Sequence, residues 1–299
     1  MERGSEWLVP AASAGRLTVA RTYEITVRMA QAYAAGVGDF NPRYFNDDAP
    51  EGVLAPPCLV YSLQWNSRDM PGVYQGTAPP IRGVHAATDL RWQRAIRAGD
   101  ALTVQGRRIA IRQIPPGVYI LTRYEMRDAA GTLVATVDDG AIIRGARADG
   151  ENVTLEETPP LPERAIAGEP AWTAEIAIAR EATHVYTECA DIWNPIHTER
   201  RVALAAGLPD IIVQGSLTMA LAARELVNRV VGGDPARLAR LAGQFRAMVV
   251  PGSAVRVVCE EVAALPEGNS AAFFEVLNAQ GEPAVKDGVA VFRPPSPIR

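Results

Sequence analysis

Cysteine is scarce and scattered. Cys58, Cys189 and Cys259 are the three in 299 residues, and no C-x-x-C or zinc-ligand spacing joins them. A disulfide framework is therefore not expected, and a reducing cytoplasm is the natural setting. There is no basic excess: 30 Lys and Arg stand against 34 Asp and Glu, a formal charge of −4. A nucleic-acid partner, whose affinity would come from neutralising phosphates, is not expected. No run of 18 apolar residues occurs, and the first twenty residues hold no uninterrupted apolar segment after a basic start, so neither membrane anchoring nor export is expected. His85, His184 and His197 share no ligand spacing, and no metal site is expected.

What is present is a composition of 48% hydrophobic and 21% charged residues, enough apolar material for a sizeable core. An internal repeat then organises the chain. Tyr33-x7-Asn41-Pro42-x-Tyr44 faces Tyr186-x7-Asn194-Pro195-x-His197 at an offset of 153 residues, and Trp92-x6-Gly99 faces Phe245-x6-Gly252 at the same offset. Glu125-x5-Gly131 faces Glu275-x5-Gly281 at 150. Matches in one order at a nearly constant offset indicate two copies of a unit of about 130 residues. The division is 1–147, a polar, Pro-rich linker at 148–170, and 171–299.

Each copy reads as an opening strand, a short helix, an Asn-Pro loop, a long central helix and then strands. In copy one the strands are expected at Val84 to Trp92, Ala101 to Ile111, Val118 to Arg127 and Thr132 to Ile143. In copy two they are expected at Leu241 to Ala247, Ala254 to Val262, Ala271 to Leu277 and Pro283 to Phe292. Asp-Ala-Ala-Gly (128–131) and Asn-Ala-Gln-Gly (278–281) supply hairpin turns between them.

The stretch from Tyr186 to Val227 carries the chemistry. Pro195 forces a turn that projects Asp191, Asn194 and His197 from a fixed backbone. Gly215 opens an apolar helical pattern through Leu217, Met219, Leu221, Leu226 and Val227.

Gly38-Asp39-Phe40-Asn41-Pro42-Arg43-Tyr44 and Asp191-Ile192-Trp193-Asn194-Pro195-Ile196-His197, with the downstream Ala-Ala-Gly-Leu-Pro and the Gly before a long helix, resemble the MaoC-like, type 2 enoyl-CoA hydratase family over about residues 20 to 293. The resemblance implies an α+β double hot dog: two repeats, each a long helix wrapped by an antiparallel sheet. It implies an (R)-specific hydratase or dehydratase of acyl-CoA thioesters, with CoA as part of the substrate and no separate cofactor. By analogy with such folds, a homodimer is expected.

Two departures accompany it. In copy two the family's aspartate position is Ile192, with Asp191 one residue early, and copy one keeps Asp39 but has Tyr44 in place of histidine. Adding water to an unsaturated thioester needs a base, an acid and a donor to the enolate oxygen. The candidates are His197 for proton transfer, Asp191 or Asp39 (the latter reaching across a pseudo-two-fold axis) for the carboxylate, Asn194 for the turn and Gly215 for the backbone N–H. Asp191 can equally be a turn former, His197 a packing residue and Gly215 a packing site. Phe245 and Arg246 are candidates for the acyl-carrier channel, with Arg94 and Arg97 as possible phosphate partners. Copy one, which lacks the Gly, is expected to form the acyl tunnel. Relatives acting on branched, dicarboxylic or carrier-bound acyl groups, or a protein that only binds thioesters, are the alternatives.

Overall fold

The computed structural model describes residues 7–70, 83–164 and 168–295. Copy one begins with strands β1 (Leu8–Pro10) and β2 (Arg21–Glu24), helix α1 (Val27–Val37) and the one-turn helix α2 (Pro42–Phe45). A 3₁₀ turn (Pro57–Leu59) runs into α3 (Val60–Trp65), and strands β3 (Gly83–Trp92), β4 (Ala101–Ile114), β5 (Gly117–Arg127) and β6 (Leu133–Arg144) follow. Two short strands, β7 (Arg147–Asp149) and β8 (Val153–Thr154), lead to copy two. That copy holds β9 (Trp172–Ala177), α4 (Ala182–Ala190), a 3₁₀ turn (Pro195–His197), α5 (Arg200–Ala205) and α6 (Gly215–Val230), then β10 (Leu238–Phe245), β11 (Ala254–Ala264), β12 (Ser270–Leu277) and β13 (Pro283–Phe292).

Apart from the parallel pair of β1 with β7, the strands form one antiparallel sheet in the order β2-β4-β5-β6-β3-β10-β13-β12-β11-β9, with β8 added on β4. Its centre is the β3–β10 pair, in which Asp89 lies opposite Ala242, residues exactly one repeat offset of 153 apart. A pseudo-two-fold axis therefore passes through the seam. Each half of the sheet curls around its own helix, and one continuous core holds Leu90 and Trp92 of β3, Leu217 and Leu226 of α6, and Val257 and Phe274 of the far sheet. The two hot-dog units are present.

The axis also passes between α1 and α4. Tyr33 and Tyr186 meet hydroxyl to hydroxyl at 3.0 Å, both wholly buried. One turn further, a Cβ at Gly36 would lie 2.6 Å from Cβ of Cys189, so only glycine allows the helices to approach this closely.

One expectation fails in detail. The central helix of copy two has 16 residues, but that of copy one is a 3₁₀ turn plus the six residues of α3. The reason is the Asn66 side chain, which donates to the Ser62 carbonyl and to Asp191 of copy two. It satisfies the last turn from the side, as short polar side chains do when they compete with helix continuation. The expected linker is also more ordered than a spacer. β7 pairs with β1 and β8 with β4, and residues 156–160 run over the outer face of the sheet, held by Arg123 and Arg240.

Candidate functional site

The pseudo-symmetry makes two half-sites from the same local plan. In each, a helix ends on a left-handed residue, Gly38 (φ 66) or Asp191 (φ 52), and the next residue turns inward: Asp39, whose N–H bonds Ala34 O, or Ile192, whose N–H bonds Thr187 O. An asparagine then caps the following turn, Asn41 accepting from Arg43 N and Asn194 from Ile196 N. Each loop is braced from the other repeat at matching positions. Arg224 of α6 donates to Val37 O and Gly38 O, and Asn66 beyond α3 donates to Asp191 O. Ser62 of α3 likewise donates to Ala190 O.

In the C-terminal half-site, His197 closes the 3₁₀ turn that Pro195 starts. Its Nδ1 lies 2.7 Å from the carbonyl oxygen of Ile212, and a carbonyl only accepts, so Nδ1 carries the hydrogen and Nε2 keeps its lone pair. Burial lowers its pKa from the usual 6.5 to about 4, against a smaller raising effect of the Ile212 carbonyl. The ring is neutral at physiological pH. Gly215 is the first residue of α6, where a helix leaves its N–H groups without intrahelical acceptors and the macrodipole favours negative charge. A Cβ at Gly215 would lie 3.1 Å from the Phe245 ring, so Phe245 packs against the start of α6.

Asp191 points elsewhere. Its side chain is exposed and takes a hydrogen bond from Asn66 at 3.1 Å, the turn-forming role. The position that faces inward is Ile192, which is 4% exposed and belongs to the main core. Gln214, which the sequence reading passed over, caps α6. It is buried, donates to Thr183 O and Thr187 Oγ1, and leaves its amide oxygen without a partner among the described residues. Its signal was its place immediately before the glycine.

The N-terminal half-site differs in kind. Asp39 is 9% exposed, and its pKa is raised by desolvation, against the lowering effects of the Asn41 N–H and Arg224. Tyr44 is wholly buried, and desolvation pushes its phenol well above its usual range. The glycine is replaced by Pro57 at the first helical position, which has no N–H to offer. Asp39 and Tyr44 share a cavity with Tyr33, Cys58, Ala223 and Arg224; His197 is not among its walls. The structure thus brings Asp39 and Tyr44 to one cavity, and sets His197 against the carbonyl of Ile212, three residues before Gly215.

Arg246, just past the end of β10, is exposed, and its guanidinium contacts Gln244 of that strand. Arg94 pairs with Asp100 at 2.7 Å and Arg97 donates to Glu51 O, so neither is poised for a phosphate. Among the described residues no group of three His, Cys, Asp or Glu side chains could hold a metal ion, and no helix is long and apolar enough to cross a membrane.

Comparison with known proteins agrees with this plan. Residues 163–272 match the model of the MaoC like domain, and residues 12–137 match the FAS1-like dehydratase domain region. The chain is 30% identical over 135 residues to UPF0336 protein SCO4636 of Streptomyces coelicolor, covering 42% of this chain and 87% of that protein. It is 24% identical over 252 residues to 3-hydroxyacyl-thioester dehydratase Y of Mycobacterium tuberculosis, covering 82% and 85%. Its fold matches the crystal structure of a MaoC-like dehydratase from Phytophthora capsici with a TM-score of 0.79 and 20% identity, over 96% of this chain and 98% of that one.

Proposed function

From the premise that this chain belongs to the MaoC-like dehydratases, we propose that it is an (R)-specific enoyl-CoA hydratase, running in reverse as a 3-hydroxyacyl-CoA dehydratase, with its active site in the C-terminal repeat. The observation that carries this reading is a neutral His197 whose Nε2 has no hydrogen-bond partner among the described residues and whose Nδ1 is held by Ile212, just before the glycine-opened start of α6.

In the proposed reaction the thioester carbonyl oxygen takes the Gly215 N–H as negative charge develops on it, an interaction typically contributing roughly 10²–10³ in rate. Nε2 of His197 removes a proton from water as the water oxygen bonds to C3, and the imidazolium returns that proton to C2 on the same face. One group serves as base and then acid, so the missing aspartate at Ile192 does not leave the proton without a carrier. A pKa near 4 makes the imidazole a modest base and its conjugate acid a strong one, which suits protonation of an enolate carbon. The Gln214 amide oxygen is an acceptor for the second hydrogen of the water. Asp191 has no part in this scheme.

The buried Ile192 at the carboxylate position also favours a second reading, in which the protein binds acyl thioesters without turning them over. Hydration of 2-enoyl-CoA by the wild type and by His197→Ala and Asp191→Asn separates them. The proposal expects His197→Ala to lose on the order of 10²-fold or more in kcat/KM and Asp191→Asn to stay near wild type. A His197→Ala protein that hydrates at the wild-type rate removes His197 from the mechanism.

A further inference from the structure

The N-terminal half-site keeps a carboxyl and a phenol of its own, Asp39 and Tyr44. Its cavity has space of about 10 Å³, enough for about one water oxygen, and Asp39 and Tyr44 are both among its walls. Asp39 Oδ1 accepts from Asn41 N at 3.2 Å, while Oδ2 has no partner among the described residues. The Tyr44 hydroxyl likewise makes no hydrogen bond among the described residues. Asp39 also lines an outer groove of about 670 Å³, whose walls include Arg43 and Arg224 as cations and the Asn228 amide. Asp39 and Arg224 are thus common to the open groove and to an oxygen-sized slot that Tyr44 also lines.

A carboxyl and a phenol around a carbonyl-sized slot make an enolisation site rather than a water-adding one. The phenol holds the carbonyl oxygen while the carboxylate moves a proton between carbons. There is no imidazole here, and Pro57 offers no N–H where the other half-site has Gly215. We infer that the N-terminal repeat shifts the double bond of a 3-enoyl thioester into conjugation, forming the 2-enoyl thioester. Asp39 takes a proton from C2, and the electron pair spreads into a dienolate whose oxygen is held by Tyr44. The same proton is then delivered to C4 as the double bond moves from C3–C4 to C2–C3. Nothing is oxidised or reduced, and no water is consumed. Desolvation strengthens Asp39 as a base and keeps Tyr44 protonated. The inference rests on the reading that the chain handles acyl thioesters.

The test supplies 3-hexenoyl-CoA to the full chain and counts 2-hexenoyl-CoA plus 3-hydroxyhexanoyl-CoA by mass spectrometry, with hydration of 2-hexenoyl-CoA measured separately. The wild type is expected to make conjugated product, Asp39→Asn to lose roughly 100-fold or more, and Tyr44→Phe to lose roughly tenfold or more. Both replacements keep the side-chain shape, and thermal melting verifies that they fold. A wild type that hydrates 2-hexenoyl-CoA but does not move the double bond overturns this inference alone; one that does neither overturns the hydratase reading with it. A folded Asp39→Asn that isomerises at the wild-type rate also overturns it.

Discussion

Ile192 and Asp39 occupy the same place in two copies of one loop, one an apolar core residue and the other a buried carboxyl. Placing a carboxylate at 192 would return the aspartate of the family's motif to the copy that holds His197, at the expense of an apolar core contact. Ile192→Asp is expected to raise kcat/KM for hydration by roughly tenfold or more, while lowering unfolding stability by about 2–4 kcal/mol at neutral pH for the buried charge. Steady-state rates and urea melts read both, and a rate that falls while the protein stays folded argues that Ile192 shapes the pocket. His197 leaves a signature in stability. Its folded pKa is lowered from 6.5 to about 4, so between these values the unfolded chain takes up a proton that the folded chain refuses. Stability therefore falls as pH drops through that window, and His197→Gln should flatten this part of the profile in denaturant titrations. At this scale the sequence showed Asp191 to be out of register, because the Asn-Pro pair counts positions unambiguously. It did not show which way each side chain turned, since that depends on the left-handed residue one step earlier. Nor did it show the pairing of Asp39 with Tyr44, which requires α6 of the other copy to close the cavity.

Among the elements, α1 and α4 cross with almost no space between them. Gly36→Ala gains about 1 kcal/mol of helix propensity, but its Cβ would sit 2.6 Å from that of Cys189, a contact between backbone-anchored atoms that only a helix displacement relieves. Overpacking costs about 1–3 kcal/mol, so a net loss is expected in thermal melting, with partial recovery in Gly36→Ala/Cys189→Gly. A stabilised single mutant would show that the helices are free to separate. Strands were the most legible elements, because hairpin turns such as 128–131 and 278–281 mark their ends. The shortened helix of copy one was not legible, since Asn66 ends it by reaching a partner 125 residues away.

For the molecule as a whole, the repeat offset gave the pseudo-two-fold architecture, because a symmetric fold needs matched positions. The charge cluster that seals the seam lay outside that pattern. Arg240 of β10 grips Asp89 of β3 at 2.6 and 2.9 Å, and Arg91 and Arg123 hold Asp138 nearby. Desolvation raises the Asp89 pKa even so, with Arg240 pulling it down. Removing Arg240 leaves the buried Asp89 with Arg91 alone, at 3.3 Å, so Arg240→Ala is expected to lose about 1–3 kcal/mol. Asp89→Asn/Arg240→Met should lose less, as chemical denaturation will show.

The central claim is that His197 and Gly215 make the C-terminal repeat a thioester hydro-lyase. Its most direct measurement follows the loss of enoyl-thioester absorbance with a panel of straight and branched 2-enoyl-CoAs, with binding of the matching saturated acyl-CoAs measured alongside. The account predicts turnover of at least one substrate, abolished by His197→Ala while the saturated thioester still binds. Binding across the panel with no turnover in the wild type would contradict it and leave a thioester-binding protein in its place.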